Sequence, residues 1–332
     1  MSDLKASLHA FVERMWWSHD RPPAWLRWAS PLYAMISARQ LRARSQNRVM
    51  PPIPLVSVGN ITAGGSGKTP FVIWLVRQMQ AHGIKPVVLC RGDGGRTHDA
   101  TLLTDTCLVA DVGDEACLLF ESCDCPVIVG RDRVAGSRMA ADLGEVLILD
   151  DGFQYRQLQR QCDIVLVPAE GVGNGHMIPA GPLREPVTAL ARADLVVRTG
   201  GGPVVPLGGG RQWYWRVVGG GLRQSSGPVS PPPGRAWAVS GIARPGRFIE
   251  SLQRQRIEIV GQTLFPDHYA FTAGDVGSVS AHGLPVVTTG KDAVKLLPIW
   301  PQHLPLWVLD IEGEGESGLF EAIMACLHLH ER

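Results

Sequence analysis

The chain has 332 residues, 45% of them hydrophobic and 19% charged, which is typical of a globular protein and long enough for two α/β domains. A net charge of +1 excludes a general electrostatic attraction to nucleic acid. No stretch approaches the ~20 apolar residues that cross a bilayer, and the charged N-terminus is not a secretory signal. Seven cysteines without a C-x-x-C pair favour reduced thiols in a cytosolic compartment over a metal site.

Residues 1–48 differ from the rest of the chain. They contain eight Lys and Arg against three acids, four of the ten tryptophans, and apolar residues at helical spacing: Leu4, Leu8, Phe11, Val12 and Met15. Such a helix suits a membrane interface, with indoles at headgroup depth and arginines against anionic headgroups. The alternative is an amphipathic helix that packs on its own domain.

The first strong motif lies in residues 54–70, where an apolar strand-like run leads through a Gly-rich turn to Gly67-Lys68-Thr69 and a helix-like segment. This order is typical of a P-loop, whose backbone amides wrap around phosphate oxygens. Lys68 would neutralise the β- and γ-phosphates, and the Thr69 hydroxyl would bind Mg²⁺. The strict pattern has Gly at the position of Thr62, so a Gly-rich βα turn with a surface lysine is the alternative. The predicted phosphate-binding residues are Thr62, Ala63, Gly64, Gly65, Ser66, Gly67, Lys68 and Thr69.

Two acidic motifs follow the P-loop in the chain. Gly113-Asp114-Glu115 places two acids at the start of a helix, where capping the helix is the alternative to a chemical role. Residues 146–154 contain an apolar strand that ends in Asp150 and Asp151. Because open parallel sheets bind ligands at the carboxyl ends of their strands, we expect one of these acids to hold Mg²⁺, directly or through water.

The second half of the chain indicates another α/β unit. A Pro-rich stretch at 179–186 is a functional loop or a connector, and the Gly- and Pro-rich residues 200–234 mark a domain boundary around one strand-like run. Residues 265–269 form a turn with an acid–imidazole pair, Asp267 and His268. We therefore predict four parts: a membrane-associating segment 1–48, a P-loop domain 49–205, a linker with a β-ribbon 206–234 and a second α/β domain 235–332.

Three classes of P-loop protein compete. A regulatory GTPase would carry an Asn/Thr-Lys-x-Asp motif, but the nearest text, residues 289–292, has the wrong spacing. A partitioning or carrier ATPase would carry a second lysine upstream in the loop, where Thr62 and Ala63 stand. A small-molecule kinase fits a catalytic acid with a separate acceptor domain, and the basic, Trp-rich N-terminus indicates an acceptor that lies in a membrane.

Together these motifs resemble the tetraacyldisaccharide 4′-kinase family, the lipid A 4′-kinases of bacteria with an outer membrane. The resemblance rests on blocks that run in order over nearly the whole chain: residues 57–70, 91–92, 113–115, 148–154, 179–186, 241–245, 265–268 and 291–295. It implies two P-loop/Rossmann-like α/β/α domains with mostly parallel sheets, joined by a β-ribbon linker, with the site in the cleft between them. It also implies a peripheral protein on the cytoplasmic face of the bacterial inner membrane, with no evident protein partner.

The resemblance implies transfer of the ATP γ-phosphate to the 4′-hydroxyl of a tetraacylated glucosamine disaccharide 1-phosphate, with ATP and Mg²⁺ as cofactors. By motif position, Asp114 matches the general base, His268 its partner, and Asp150 and Asp151 the Walker B acids. Lys68 completes the catalytic set. A carboxylate can accept the proton of the attacking hydroxyl, and an imidazole can orient that carboxylate. Because His268 lies in the second domain, its contact with Asp114 is expected to require closure of the cleft.

Three positions depart from the family pattern. Asp93 stands where Tyr is usual, Tyr155 where His is usual and Gly290 where Glu is usual, which affects the expected contacts with the nucleotide. Arg184 fits either a phosphate of the acceptor or a salt bridge to Glu185 or to an acid on a facing loop. Two other functions stay open: a nucleotide-dependent, membrane-associated switch and a soluble sugar or nucleotide kinase.

Overall fold

The computed structural model describes residues 11–18, 20–201 and 211–327. Leu4 and Leu8 of the predicted amphipathic segment lie outside these ranges. Within them the chain has a mixed α/β fold, in which helices cover both faces of a largely parallel sheet. The predicted α/β class and the mainly parallel sheet are confirmed.

The strands of the described ranges are β1 (Leu55–Asn60), β2 (Pro86–Cys90), β3 (Thr101–Leu102), β4 (Val127–Val129), β5 (Val146–Asp150), β6 (Cys162–Pro168), β7 (Leu195–Thr199), β8 (Gln212–Ser226), β9 (Arg235–Ser240), β10 (Glu258–Leu264), β11 (Val286–Thr289) and β12 (Leu306–Gly315). The helices are α1 (Ala24–Gln46), α2 (Lys68–Ala81), α3 (Val109–Val112), α4 (Asp114–Ser122), α5 (Arg133–Met139), α6 (Pro245–Arg254), α7 (Ala273–Ser280), α8 (Gly290–Leu296) and α9 (Leu319–Cys326). Residues 11–17 are also helical, and 3₁₀ helices lie at Ala140–Asp142, Val187–Arg192 and Leu297–Ile299.

The strands form one continuous sheet in the order β10-β9-β11-β12-β8-β7-β6-β1-β5-β2-β4-β3. Neighbouring strands run parallel, except that β3 is antiparallel to β4 and β8 is antiparallel to β12. The sequence predicts two sheets joined by a ribbon, and β8 is the reason that they are continuous. Its first four residues, 212–215, pair with β7, and most of residues 215–226 pair with β12, so that Trp215 pairs with both strands. The division into two domains stays a prediction.

The strands of the first part of the sheet could be predicted from sequence because they are apolar and buried on both faces. In β1, Val56 and Val58 pack on the side of α2, in the largest hydrophobic cluster. Leu55, one residue earlier, packs on the opposite side with residues of β2 and β5. The alternation follows from the two-residue period of a strand. The sheet therefore lies between two apolar layers, and the site is formed at the carboxyl edge of its strands.

A pair of helices connects distant parts of the chain. The helix α4, from the N-terminal part of the chain, packs against α8, from the C-terminal part. The helix α8 directly follows the carboxyl end of β11, and α4 lies between β3 and β4 in the chain. Side chains at the starts of α4 and α8 therefore face one another, although 175 residues of sequence lie between Asp114 and Gly290.

The helix α1 has one face in contact with the protein and one face that is exposed. Leu26 is buried in a small cluster with Met15 and Ala180. The exposed apolar residues recur at intervals of three and four positions, which places them on one side of the helix: Trp25 (68% exposed), Trp28 (82%), Leu32, Met35 and Ile36. None of the helices in the described ranges has the length and apolarity to span a bilayer.

Candidate active site

The phosphate loop joins β1 to α2 at the carboxyl edge of the sheet. Gly64 and Gly67 have φ angles of +95° and +82°, in the left-handed region that glycine adopts without a steric penalty. Gly67 is the N-cap of α2, which begins at Lys68. The loop therefore ends at a helix N-terminus, where free backbone amides and the helix dipole favour an anion such as phosphate.

Buried side chains outside the loop hold Ser66 in position. Asn60 Nδ2 donates to Ser66 Oγ over 2.7 Å, and Thr199 Oγ1 donates to the Ser66 carbonyl over 3.1 Å. A methyl group placed on Gly65 would lie 4.0 Å from Cβ of Ala243, so a loop of the C-terminal part of the chain reaches the phosphate loop. Sequence reasoning missed Asn60, although a polar residue at the end of an apolar strand could have indicated a contact with the phosphate loop.

Asp151 lies between two cations. Its Oδ1 is 3.4 Å from Lys68 Nζ, and its Oδ2 is 3.0 Å from a terminal nitrogen of Arg184. Burial by itself would raise the pKa of Asp151, but the charges of Lys68, Arg184 and Arg133 outweigh burial and hold the pKa well below its usual range. Arg184 thus forms a salt bridge with an acid on a facing loop, one of the alternatives that the sequence left open. Glu185 instead pairs with Arg192.

Asp150 is the stronger candidate for a Mg²⁺ ligand. Its carboxylate is buried at the end of β5 and accepts a hydrogen bond of 2.9 Å from the Asp151 amide. Burial first, and then the negative charge of Glu115, raise the pKa of Asp150 to about 7. A divalent cation would stabilise such a buried carboxylate, so the donor set fits the ion. Thr69, in the first turn of α2, supplies a second oxygen.

A site with only two protein ligands, Thr69 and Asp150, agrees with the coordination chemistry of Mg²⁺. The ion commonly takes one or two carboxylates and completes its shell with water and phosphate oxygens. In the part of the chain that the structure describes, no group of three or more His, Cys, Asp and Glu side chains could hold a metal by itself. A site built from Thr69 and Asp150 would therefore rely on the nucleotide for its remaining ligands.

The Pro-rich loop 179–186 runs beside the start of the phosphate loop. The Ala63 amide donates to the Pro182 carbonyl, and the Arg184 amide donates to the Ile61 carbonyl, both over 2.7 Å. The same loop holds the N-terminal segment, because Trp16 Nε1 donates to the Pro179 carbonyl over 3.0 Å. The loop thus connects the N-terminal segment to the phosphate loop and carries Arg184 to Asp151.

Asp114 and His268 form a hydrogen-bonded pair. His268 Nδ1 lies 3.0 Å from Asp114 Oδ1 and 3.1 Å from Oδ2. The side chain of Asp114 is 5% exposed and that of His268 is 46% exposed. The N-cap of α4 is Gly113, and Asp114 and Glu115 lie in the first turn of the helix, where their charges also complement the helix dipole. The two residues touch in this structure, and the closure of the cleft that the sequence led us to expect stays a prediction. His268 reaches Asp114 from a turn in which its own φ is +59°.

Lys291 sets the tautomer of His268. Its Nζ lies 3.3 Å from His268 Nε2 and 3.1 Å from Asp267 Oδ1. Because an ammonium group only donates, Nε2 accepts this hydrogen bond and Nδ1–H donates to Asp114. The hydrogen bond to Asp114 raises the pKa of His268 against the opposing effects of burial and Lys291. Burial would raise the pKa of Asp114, but His268 and Lys291 outweigh burial and lower the pKa, so Asp114 is a carboxylate at neutral pH.

The three positions that depart from the family pattern have ordinary contacts. Asp93 pairs with Arg91 over 3.2 Å at a half-exposed site, and the Tyr155 ring stacks with the Arg133 guanidinium, 5.2 Å from its centroid. A methyl group placed on Gly290 would approach Leu118 Cδ1 to 2.9 Å. Gly290 therefore permits the close packing of α8 on α4, and a larger side chain there requires Leu118 to move.

Comparison with known proteins identifies the family to which this chain belongs. A family model described as tetraacyldisaccharide-1-P 4′-kinase matches residues 23–328. The chain belongs to this family. The tetraacyldisaccharide 4′-kinase of Halorhodospira halophila is 38% identical to it over 327 residues, covering 95% of this chain and 97% of the relative. That of Azoarcus sp. is 38% identical over 303 residues, covering 88% and 87%.

A solved structure extends the similarity to the fold. The crystal structure of LpxK from Aquifex aeolicus in complex with ATP matches with a TM-score of 0.75 and 28% sequence identity, covering 90% of this chain and 97% of that one. As a member of the tetraacyldisaccharide-1-P 4′-kinase family, the chain is a kinase, and the predicted enzyme class is confirmed. The ATP in the Aquifex structure supports the predicted nucleotide.

The structure brings most of the predicted site residues of this kinase into two neighbouring groups. Lys68 and Asp151 touch in one group, and Asp114 and His268 touch in the other. Glu115, next to Asp114, is close enough to raise the pKa of Asp150, so the two groups share one electrostatic environment. Sequence reasoning named no role for three cations that contact these groups: Arg133, Lys291 and Lys295.

Proposed function

We propose that this kinase transfers the γ-phosphate of ATP to the 4′-hydroxyl of a tetraacylated glucosamine disaccharide 1-phosphate, in lipid A biosynthesis. The observation that supports it most directly is the 3.0 Å contact between Asp114 and His268, which links the start of α4 to the C-terminal part of the chain. The names of the relatives from Halorhodospira halophila and Azoarcus sp. indicate the same reaction.

Asp114 acts as the general base in this proposal. The attacking hydroxyl must lose a proton as its oxygen bonds to phosphorus, and an ionised carboxylate within hydrogen-bond reach accepts that proton. The low pKa of Asp114 keeps it available as an acceptor at neutral pH. His268 donates to Asp114 from Nδ1, so it orients the carboxylate and stabilises its charge.

The phosphate loop and Lys68 hold the transferred phosphate in the same proposal. Lys68 is positioned by Asp151, which Arg184 also contacts, so its ammonium group is held near the N-terminus of α2 before nucleotide binds. Thr69 and Asp150 would hold Mg²⁺, which neutralises phosphate charge when it is bound. Phosphoryl transfer needs positioning and charge stabilisation more than covalent chemistry, and these residues supply both.

The exposed face of α1 supports binding of the protein to a membrane surface, on the cytoplasmic face of the bacterial inner membrane. Two large indoles lie on it, Trp25 and Trp28, and the cationic residues Arg21, Arg27 and Arg39 are nearby in the sequence. Apolar and aromatic side chains on one face with arginines around them favour an interfacial position. Because residues 11–17 and α1 also contact loop 177–183, a lipid acceptor would enter the site from the side on which α1 lies.

A phosphoryl-transfer assay tests the function. Labelled ATP, Mg²⁺ and a tetraacylated disaccharide 1-phosphate in mixed micelles would be incubated with wild type, Lys68→Ala and Asp114→Ala. We expect labelled lipid from wild type and losses of 100-fold or more (~10²–10⁴ for a general base) in both variants. ATP binding without labelled lipid would contradict the proposal and favour a nucleotide-dependent switch. Transfer to a soluble sugar or nucleotide, independent of residues 1–48, would favour a soluble kinase.

A further inference from the structure

A buried lysine lies directly behind the proposed base. Lys295, in the last turn of α8, has its Nζ 3.4 Å from Asp114 Oδ2 and 3.1 Å from Asp292 Oδ1. Its side chain is 9% exposed, and that of Asp292 is completely buried. A buried ammonium group is tolerated only beside compensating charge, and here Asp114 and Asp292 provide that charge.

Asp292 connects this lysine to the region of the phosphate loop. Its Oδ2 accepts hydrogen bonds from the Gly241 amide over 2.9 Å and from the Thr289 hydroxyl over 2.8 Å. Gly241 begins the loop 241–244, whose Ala243 lies beside Gly65 of the phosphate loop. One buried carboxylate thus holds Lys295 with one oxygen and the loop next to the phosphate loop with the other.

We propose that Lys295 and Asp292 are positioning residues for phosphoryl transfer. Lys295 holds the Asp114 carboxylate in the orientation in which it accepts the proton. Asp292 fixes Lys295 and aligns loop 241–244 with the phosphate loop. This inference rests on the proposed function, because it assigns to the pair a role that acts through Asp114.

The charges around Asp114 show why Lys295 differs from Lys291. Asp114 faces His268 from the turn after β10, Lys291 and Lys295 from α8, and its own neighbour Glu115. Lys291 makes its short contacts with Asp267, Glu115 and His268. Lys295 instead contacts Asp114 itself and the buried Asp292, and its Nζ lies over the Phe271 ring, 5.3 Å from the centroid.

Removal of Lys295 has two separable effects on the base. The buried carboxylate loses one adjacent cation, so the pKa of Asp114 rises, typically by about one unit or more for a charge at this distance. The carboxylate also loses the cation beside Oδ2 and keeps the hydrogen bond from His268 on that side. Small errors in the placement of a reacting group lower kcat by one to two powers of ten. The first effect appears at acid pH, and the second appears at every pH.

The test compares Lys295→Met, Lys295→Arg and the surface control Lys85→Met in the lipid phosphorylation assay. For Lys295→Met we expect about a tenfold loss of kcat at pH 7, less than a twofold change of KM for ATP, and an acid limb of the pH–rate profile about one pH unit higher. Lys295→Arg should recover most of the rate. Lys85→Met should match wild type. A wild-type kcat and acid limb in Lys295→Met would overturn the inference.

A second comparison separates positioning from a general structural role. In an Asp114→Asn background, Lys295→Met should cause no further loss of kcat, because the residue through which it acts is already changed. A further tenfold loss there would overturn the inference. If Lys295→Met does not fold, the double variant Lys295→Met/Asp292→Asn takes its place, because it leaves no unpaired charge at Asp292. An unchanged kcat in that folded double variant would also contradict the inference. Failure of wild type to phosphorylate the lipid is a different result and contradicts the proposed function itself.

Discussion

The exposed face of α1 allows a quantitative test of membrane association. Leu32 and Met35 are 57% and 63% exposed on this face. Full burial of such a side chain contributes ~1.5–3 kcal/mol, so burying the exposed part of both contributes roughly 1.8–3.6 kcal/mol. Since 1.4 kcal/mol is a factor of ten, the variant Leu32→Ser/Met35→Ser should bind membranes about 20- to 400-fold more weakly.

Co-sedimentation with vesicles that contain phosphatidylglycerol measures this partition directly. The matched control is Val260→Ser/Leu264→Ser, which removes two apolar side chains of 42% and 44% exposure from β10, an edge strand of the sheet. We expect the control to bind as wild type does. An unchanged partition coefficient in the α1 variant, with a Tm equal to that of wild type, would refute the assignment of this face to the membrane.

Three further predictions concern the site. Gly67→Ala forces a side chain into a left-handed conformation at a cost of ~1–2 kcal/mol, so calorimetry should show ATP binding weakened about tenfold, and an unchanged Kd would contradict the role of the loop. Asn60→Leu leaves the buried Ser66 hydroxyl without its donor, so the free energy of unfolding in urea should fall by about 1–3 kcal/mol; an unchanged value would show that water replaces the amide. The raised pKa of His268 means that its contribution to stability is complete below about pH 6.5, its unfolded value, and is lost as pH rises through the folded pKa. His268→Gln should therefore lower stability more at pH 5.5 than at pH 9, and an equal loss at both would contradict the ion pair with Asp114.

Much of the N-terminal part of the fold could be predicted from sequence because its strands are apolar on both faces. The strands Val146–Asp150 and Cys162–Pro168 each contain a run of four apolar residues, 146–149 and 164–167, as a buried parallel strand does. The carboxyl-edge rule then placed Asp150 beside the phosphate loop without any knowledge of distances. The same logic could have found Arg133, which follows β4 at that edge and donates to the Asp151 carbonyl.

The contacts between distant parts of the chain could not be predicted in this way. Local pattern gives no information on the pairing of β8 with both β7 and β12, because it depends on which edges of the sheet meet in space. Lys295 lies in the motif 291–295, but its contact with Asp114 depends on the packing of α8 on α4, which Gly290 permits. The distance between His268 and Asp114 could not be predicted either, because a sequence does not give the separation of two parts of a folded chain.

The long strand β8 also sets the mechanical behaviour of the molecule. A movement of the C-terminal strands relative to the N-terminal strands must bend the sheet, because it runs without a break from β3 to β10. The strand β8 contains Gly219, Gly220 and Gly221, and the register of its pairing with β12 shifts between Leu309 and Ile311. Such a movement would therefore be an elastic bending of one sheet near these glycines rather than a rotation of two bodies about a flexible linker.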